Sequence, residues 1–310
     1  MAINKYMRAA LKTLSYAEPD LKANLQANRW LRNLANPPTG KHRVYEVWDY
    51  TIVSENHKIP IRIFEPKKRR SEEIILYFHG GGWVLGNINA YTRTCAMLAD
   101  ETGRRVFSVD YLKAPEHPFP AGLLDCYEAA KKVEEYQRKR KTGLVLMGDS
   151  AGANLAAAVS LMARDRGAFS IPKQILLYPA TYYDHGPDSP FPSVKEKGEG
   201  YLLTSRRICD YIDLYIQHGE DRISPYFAPL LAKDFSRQPD TLLITAEHDP
   251  LRDEGEAYGE KLKQGGNRVV LYRMDNALHG YFNLPIRFVH VERTLRLVRE
   301  FLDEKGKKID

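Results

Sequence analysis

The sequence has few cysteines and no long apolar segment, and both absences exclude classes of protein. Its three cysteines, Cys95, Cys126 and Cys209, have neither the spacing of a disulfide framework nor that of a metal site. No run approaches the roughly 18 apolar residues of a membrane span. Residues 1–16 are amphipathic and lack the continuous apolar stretch of a signal peptide. We therefore expect a cytoplasmic protein with reduced thiols, no metal, no cofactor and no membrane partner.

The formal net charge of +6 raises the question of an acidic partner. The basic residues are dispersed, and the densest cluster, residues 67–70, lies between two predicted strands. No basic stripe with interleaved aromatics accompanies it, so we expect no nucleic-acid binding. Hydrophobic residues make up 43% of the chain and charged residues 28%, which is typical of globular proteins and excludes disordered and fibrous classes.

Short apolar runs alternate with helical patterns over most of the chain. Strands are predicted at 44–54, 58–64, 74–78, 105–109, 143–147, 174–178, 241–245 and 268–272. Helices are predicted near 91–103, 121–138, 151–166, 204–217, 251–264 and 288–304. Alternation of this length predicts an α/β fold with a mostly parallel central sheet and helices on both faces.

Two segments interrupt this alternation. The first, about residues 1–40, contains two helical patterns near 3–14 and 19–34. The second, about residues 181–222, is rich in Pro, Gly, Tyr and charge and contains a single clear helix. Open α/β sheets place their sites at the carboxyl edge, where such segments can form a cover. We therefore expect one catalytic domain over residues 1–310, with a small cap formed by these two segments.

The strongest local motif is GDSAG at residues 148–152. It follows an apolar strand directly and precedes a good helix, which is the context that a nucleophile elbow requires. Such a turn raises the serine hydroxyl above the sheet, and the helix N-terminus supplies partial positive charge beside it. Ser150 is therefore the candidate nucleophile, although an ordinary glycine-rich turn would have the same five-residue pattern.

A second motif, HGGGW at residues 79–83, also follows a strand. Three consecutive glycines are entropically costly and make sense where the backbone must approach a ligand closely. An oxyanion hole needs such a loop, because its N–H groups must point at the charged oxygen of a tetrahedral intermediate. Neither P-loop nor GxGxxG spacing is present, which argues against a phosphate-binding loop.

A nucleophilic serine needs a base, and the base needs an orienting carboxylate. Nine histidines compete for the role of base, and His279 is favoured because it follows the last predicted strand in a loop before the terminal helix. The acid should follow the strand at 241–245, where several carboxylates crowd together. Asp249 and Glu247 are the main candidates, and spacing alone does not choose between them.

Together these motifs resemble the hormone-sensitive-lipase-like family of α/β-hydrolase esterases, over roughly residues 44–304. HGGGW, GDSAG, DPLRDEG at 249–255 and LHG at 278–280 resemble its oxyanion, nucleophile, acid and histidine motifs. The resemblance implies an α/β-hydrolase fold, and it implies Asp249 as the acid of the triad. It also implies Gly81, Gly82 and Ala151 as oxyanion donors through their backbone N–H groups.

Some residues in these motifs call for separate expectations. The resemblance implies that His79 is a structural anchor of its loop. Leu112-Lys113 departs from the family's usual Arg-Leu, which could alter a salt bridge beneath the site. Tyr281 stands where phenylalanine is more usual, and we expect it to change the polarity near the base.

The expected activity is hydrolysis of small esters with short acyl chains through an acyl-enzyme. Amidase or formamidase activity, or deacetylation of carbohydrates, would use the same triad, and a non-catalytic binding protein on this scaffold is a more remote alternative. Trp83, Tyr183 and Tyr201 are candidates to line the substrate pocket. The expected partner is a small-molecule ester, and exposed edge strands would allow a homodimer.

Overall fold

The computed structural model describes residues 21–29, 46–54 and 57–304. The strands are β1 Glu46–Val53, β2 Lys58–Glu65, β3 Ile74–Phe78, β4 Arg105–Val109, β5 Leu144–Asp149, β6 Lys173–Leu177, β7 Asp240–His248 and β8 Val269–Leu278. The longer helices are α1 Thr92–Thr102, α2 Ala121–Lys139, α3 Ala151–Asp165, α4 Pro192–Lys197, α5 Ser205–Tyr215, α6 Arg252–Gln264 and α7 Val289–Asp303. Short 3-10 turns cover Gly219–Ile223, Pro229–Leu231 and Tyr281–Asn283.

The eight strands form one sheet in the order β1-β2-β4-β3-β5-β6-β7-β8. β1 pairs antiparallel with β2, and β2 pairs antiparallel with β4. All other neighbouring strands are parallel, so the predicted mostly parallel sheet is confirmed. Every residue of β3 and β5 is buried, as expected of central strands covered on both faces.

Helices cover the sheet on both faces, and each face has its own hydrophobic core. One core includes buried side chains of α2, α3 and α6, and the other includes those of α1 and α7. α3 is the most deeply buried helix, with thirteen buried residues between Ala151 and Ala163. Because α3 begins directly after β5, the junction between them lies at the carboxyl edge of the central strands, where open α/β folds place their sites.

The segment between β6 and β7 contains more helix than predicted. Besides α5 it forms the short helix α4, which starts at Pro192, a residue suited to the first helical turn. The Thr204 side chain caps α5 by accepting a hydrogen bond from the N–H of Arg207. Residues 207, 208, 212 and 215 are buried along one face of α5, so this helix packs inward over the sheet.

The first predicted helix, 3–14, lies outside the described residues, and so do residues 19–20 and 30–34 of the second. In the part that is described, residues 25–29 are helical and Leu21 is fully buried. The Arg29 guanidinium donates to the carbonyl oxygens of Val84 and Ala114 and to the Glu116 carboxylate. This segment is thereby fixed against the loops that follow β3 and β4. No helix among the described residues is long and apolar enough to cross a membrane.

Candidate active site

Ser150 occupies a sharp turn between β5 and α3. Its backbone angles, φ 56° and ψ −122°, are strained for a residue with a side chain, as is typical of a nucleophile elbow. The flanking glycines follow from the crowding of this turn. A Cβ on Gly152 would lie 1.9 Å from the carbonyl oxygen of Phe78, and one on Gly148 would lie 2.3 Å from the carbonyl carbon of Gly152. Only glycine fits at these two positions.

The loop after β3 approaches Ser150 from the neighbouring strand. Gly81 and Gly82 adopt positive φ angles of 130° and 62°, which glycine tolerates best. A Cβ on Gly81 would lie 2.2 Å from the carbonyl oxygen of Leu85, so no side chain fits there. Within the described part of the chain, no hydrogen bond uses the N–H of Gly81, Gly82 or Ala151 as its donor. These three N–H groups are thus available to a ligand, and that of Ala151 lies at the positive end of α3.

The three residues that the motifs single out for catalysis come together in one hydrogen-bonded relay. His279 Nε2 lies 2.9 Å from Ser150 Oγ, and His279 Nδ1 lies 2.7 Å from Asp249 Oδ2. Asp249 is fully buried, and its Oδ1 accepts a hydrogen bond from the N–H of Leu251 at 2.9 Å. Both oxygens of the carboxylate therefore have donors, and the imidazole is held between an acid and a hydroxyl.

Glu247, the competing candidate for the acid, has a different role. Its carboxylate accepts a hydrogen bond from the N–H of Asn276 at 2.6 Å. This bond lowers the pKa of Glu247 below its ordinary value. Glu247 thus supports the end of β8, the strand that leads to His279.

Glu254, a second carboxylate in the acid motif, holds the segment after β6. It is fully buried, and its Oε1 accepts from the N–H groups of Thr181 and Tyr182. Its other oxygen, Oε2, lies 2.6 Å from Nε2 of the buried His185. All of these partners belong to the start of the segment between β6 and β7, so Glu254 fastens that segment to α6.

The loop that carries His279 is fixed from several sides. Gly280 has a φ of 77°, and the rings of Tyr178 and His279 pack in a T-shaped arrangement with centroids 4.9 Å apart. Burial raises the pKa of Tyr178 well above its ordinary value, so its hydroxyl stays neutral.

The Tyr281 hydroxyl lies 2.7 Å from Thr294 Oγ1 on α7. The expectation that Tyr281 changes the polarity near the base is therefore wrong, because its polar group bonds to α7 instead.

Lys113 and His79 lie in the loops beneath the site, and the sequence analysis led to an expectation for each. Lys113 Nζ lies 2.8 Å from Asp110 Oδ1, so an ion pair forms despite the altered Leu112-Lys113 sequence. His79 is fully buried, and its ring stacks on that of Tyr111 with centroids 4.4 Å apart. This packing fits the expected role of His79 as an anchor of its loop.

A cavity of about 550 Å³ opens beside Ser150 and His279. Of the three predicted pocket residues, only Trp83 lies in its lining. Tyr183 packs against Tyr182 with ring centroids 4.5 Å apart, and Tyr201 stacks on His248 with centroids 5.2 Å apart. Tyr183 and Tyr201 are thus not part of the lining of this cavity, and their role as pocket residues stays a prediction.

The sequence analysis missed the side chains of α5 that line the cavity. Arg207, Ile208 and Tyr211 all belong to the lining, as does Leu251 at the start of α6. The amphipathic spacing of α5 is a signal that this helix buries one face, but it does not reveal which element that face covers. Among the described residues, no cluster of His, Cys, Asp and Glu side chains could hold a metal ion.

Asn154 on α3 was also missed. Its Nδ2 donates to the carbonyl oxygens of Ala180 and Phe227, and its Oδ1 accepts from Trp83 Nε1 at 3.2 Å. The Trp83 ring stacks on Tyr215 of α5 with centroids 4.9 Å apart. Asn154 therefore connects the glycine loop to the segments that surround the cavity.

The chain is similar to known esterases in both sequence and structure. The sequence model of a family with the α/β-hydrolase fold matches residues 75–283. An arylesterase of Saccharolobus solfataricus is 35% identical over 249 residues, which cover 79% of this chain and 80% of that protein. Carboxylesterase NlhH of Mycobacterium tuberculosis is 34% identical over 235 residues, covering 74% and 72%. A hyperthermophilic esterase from Pyrobaculum calidifontis has a solved structure with a TM-score of 0.86 and 34% identity, covering 97% of this chain and 98% of that one.

Proposed function

Because this chain belongs to the α/β-hydrolase family, we propose that it is a serine carboxylesterase acting on small esters with short acyl chains. The observation that carries the proposal is the relay from Asp249 through His279 to Ser150, which ends beside an open cavity. The cavity volume of about 550 Å³ lies within the range of about 300–1,000 Å³ common for small-molecule sites.

In the first step the Ser150 oxygen attacks the ester carbonyl carbon while His279 Nε2 takes up the serine proton. Asp249 accepts the Nδ1–H hydrogen bond, which selects the tautomer with a free Nε2 and stabilises the imidazolium that forms. The protonated His279 then gives its proton to the leaving alcohol. The product of this step is an acyl-enzyme on Ser150.

The carbonyl oxygen becomes negatively charged as the tetrahedral intermediate forms. We assign its stabilisation to the N–H groups of Gly81, Gly82 and Ala151, which have no partner within the described chain. In the second step His279 removes a proton from water, which attacks the acyl-enzyme through a second tetrahedral intermediate. Release of the carboxylic acid restores the free serine.

The proposed cap consists of the segment around residues 181–222 together with the N-terminal segment. Asn28 from the latter and three side chains of α5 line the cavity, so both segments bound the space open to a substrate. Leu202, Leu203 and Ile208 make part of this lining apolar, which suits a short acyl chain. Because similar proteins are named as esterases, we propose esters rather than amides as the substrates of this chain.

Labelling with a p-nitrophenyl phosphonate tests the proposed nucleophile. Wild-type protein should gain one phosphonyl group, found on the peptide that contains Ser150, and Ser150→Ala should gain none. Ser160→Ala is the matched control, because Ser160 lies on α3 and bonds to Gln174 away from the cavity. Absence of labelling in folded wild-type protein would overturn the proposal.

A further inference from the structure

Asp149, the residue before Ser150, is buried and carries several hydrogen bonds. Only 2% of the residue's surface is exposed. Oδ1 accepts from the Tyr77 hydroxyl at 2.8 Å and from the N–H of Gly80 at 2.9 Å. Oδ2 accepts from the Tyr91 hydroxyl at 3.0 Å. Three donors of this kind offset the cost of burying a carboxylate.

These bonds join two loops that meet at the proposed reaction centre. Gly80 directly precedes Gly81 and Gly82, and Asp149 directly precedes Ser150. The N–H of Gly80 also lies 3.1 Å from the Tyr91 oxygen, which places Tyr91 between the carboxylate and the loop. A Cβ on Gly80 would lie 2.6 Å from Asp149 Oδ2, so the contact leaves no room for a side chain.

We propose that Asp149 is a positioning residue that sets the oxyanion loop relative to the nucleophile. This inference rests on the proposed function, and it assigns to Asp149 a part in the reaction that its burial alone does not imply. Asp149 also belongs to the cavity lining, but its carboxylate oxygens accept from Tyr77, Gly80 and Tyr91, and the proposed role acts through these bonds. It holds the backbone of Gly80, and through it the N–H groups of Gly81 and Gly82, at a constant distance from Ser150.

The Tyr77 hydroxyl remains a donor in this arrangement. Burial, followed by the nearby Asp149 charge, raises the pKa of Tyr77 well above its ordinary value. The hydroxyl of Tyr77 is therefore protonated over the working range of the enzyme and can donate to the carboxylate.

Steady-state kinetics of Asp149→Ala and Asp149→Asn test this role. We expect kcat per active site to fall about 10²–10³-fold in Asp149→Ala, comparable to the loss of one oxyanion donor, while KM changes little. Asp149→Asn keeps one oxygen as acceptor for Gly80 and should lose less. Active sites are counted by phosphonate titration, so that misfolded protein does not lower the measured kcat.

Asp125→Asn is the matched control. Asp125 is also 2% exposed and also accepts from a backbone N–H, that of Leu112 at 2.9 Å, but it lies on α2 away from Ser150. This variant should lower the melting temperature and leave kcat per active site unchanged.

The inhibition constant of a trifluoromethyl ketone separates the proposed role from a purely structural one. A residue that only stabilises the fold would not change this constant in the folded protein. The ketone's adduct with serine carries an oxyanion, so its inhibition constant should rise in Asp149→Ala by the same factor as kcat/KM falls. If Asp149→Ala fails to fold, Asp149→Asn and Tyr91→Phe carry the same comparison. An unchanged kcat per active site, or an unchanged inhibition constant, would overturn the inference. Wild-type protein that hydrolyses no ester would overturn the proposed function itself, and that result is seen before any variant is measured.

Discussion

The ring of Tyr211 lies against the α-carbon of Gly82, so close that a Cβ there would come within 2.3 Å of Tyr211 Cγ. Tyr211 belongs to α5, and Trp83, the residue after Gly82, stacks on Tyr215 one turn further along the same helix. Two successive residues of the glycine loop are thus in contact with α5. This helix forms a wall of the cavity and is fixed against the loop.

Tyr211→Ala should shift the acyl-chain preference toward longer esters. Removing the ring enlarges the cavity beside Gly82, and each additional buried methylene contributes about 0.8 kcal/mol. For two methylenes we expect kcat/KM for the longer ester to rise about tenfold relative to acetate. The measurement is kcat/KM across p-nitrophenyl esters from acetate to decanoate, with Tyr211→Phe as the control that keeps the ring. An identical chain-length profile in wild type and Tyr211→Ala would contradict this role.

Gly82→Ala should lose most of its activity and remain folded. The added methyl group would collide with the Tyr211 ring and displace a proposed oxyanion donor, so we expect kcat/KM to fall about 10²–10³-fold. Gly167→Ala is a matched control, because Gly167 also has a positive φ, 57°, but has no atom within 4 Å of the added Cβ. That control should cost about 1 kcal/mol of stability and leave activity intact. Equal activity losses in the two variants would count against the account.

Glu254→Ala should destabilise the segment after β6. It would leave two backbone N–H groups and the buried His185 without their partner, and we expect a loss of about 3–5 kcal/mol in the free energy of unfolding. Glu260→Ala on the same helix removes only an exposed pair with Lys263 and should change stability by less than about 0.5 kcal/mol. Denaturant unfolding measures both, and similar values for the two variants would show that the Glu254 network contributes little.

Acid should weaken the attachment of the N-terminal segment. The hydrogen bond from Arg29 lowers the pKa of Glu116 from its ordinary 4.5 to about 2. A lowered folded-state pKa means that the contribution is present above pH 4.5 and is lost as the pH falls toward 2. The stability difference between wild type and Glu116→Gln should therefore shrink over that range in thermal unfolding. A difference that stays constant from about pH 6 to about pH 2 would rule out the ion pair as its source.

Much of the fold follows from local patterns in the sequence. The buried runs at β3 and β5 and the periodic helices α1, α2, α3, α6 and α7 were predicted within a few residues, because their burial imposes regular spacing. Ser150 and His279 could be proposed for the same reason, since each follows a strand at the same edge of the sheet. Spacing left Asp249 and Glu247 as equal candidates for the acid, and only the family resemblance favoured Asp249. Local order therefore identifies the positions that the sheet brings together.

The walls of the cavity could not be predicted in the same way. Tyr183, Tyr201 and Tyr211 all lie in the segment between β6 and β7, and of the three only Tyr211 lines the cavity, where it contacts Gly82. The role of Asp149 depends on contacts with Tyr77 and Tyr91, which lie 72 and 58 residues away along the chain. Such contacts depend on tertiary packing and have no local signature.

Hydrolysis of a p-nitrophenyl ester series, from acetate to palmitate, by wild type and Ser150→Ala in parallel tests the central claim most directly. The account predicts activity that falls with acyl-chain length in wild type and is lower by on the order of 10⁴-fold or more in the folded mutant. Near-parental activity in Ser150→Ala, or no activity of folded wild-type protein on any ester, would contradict it.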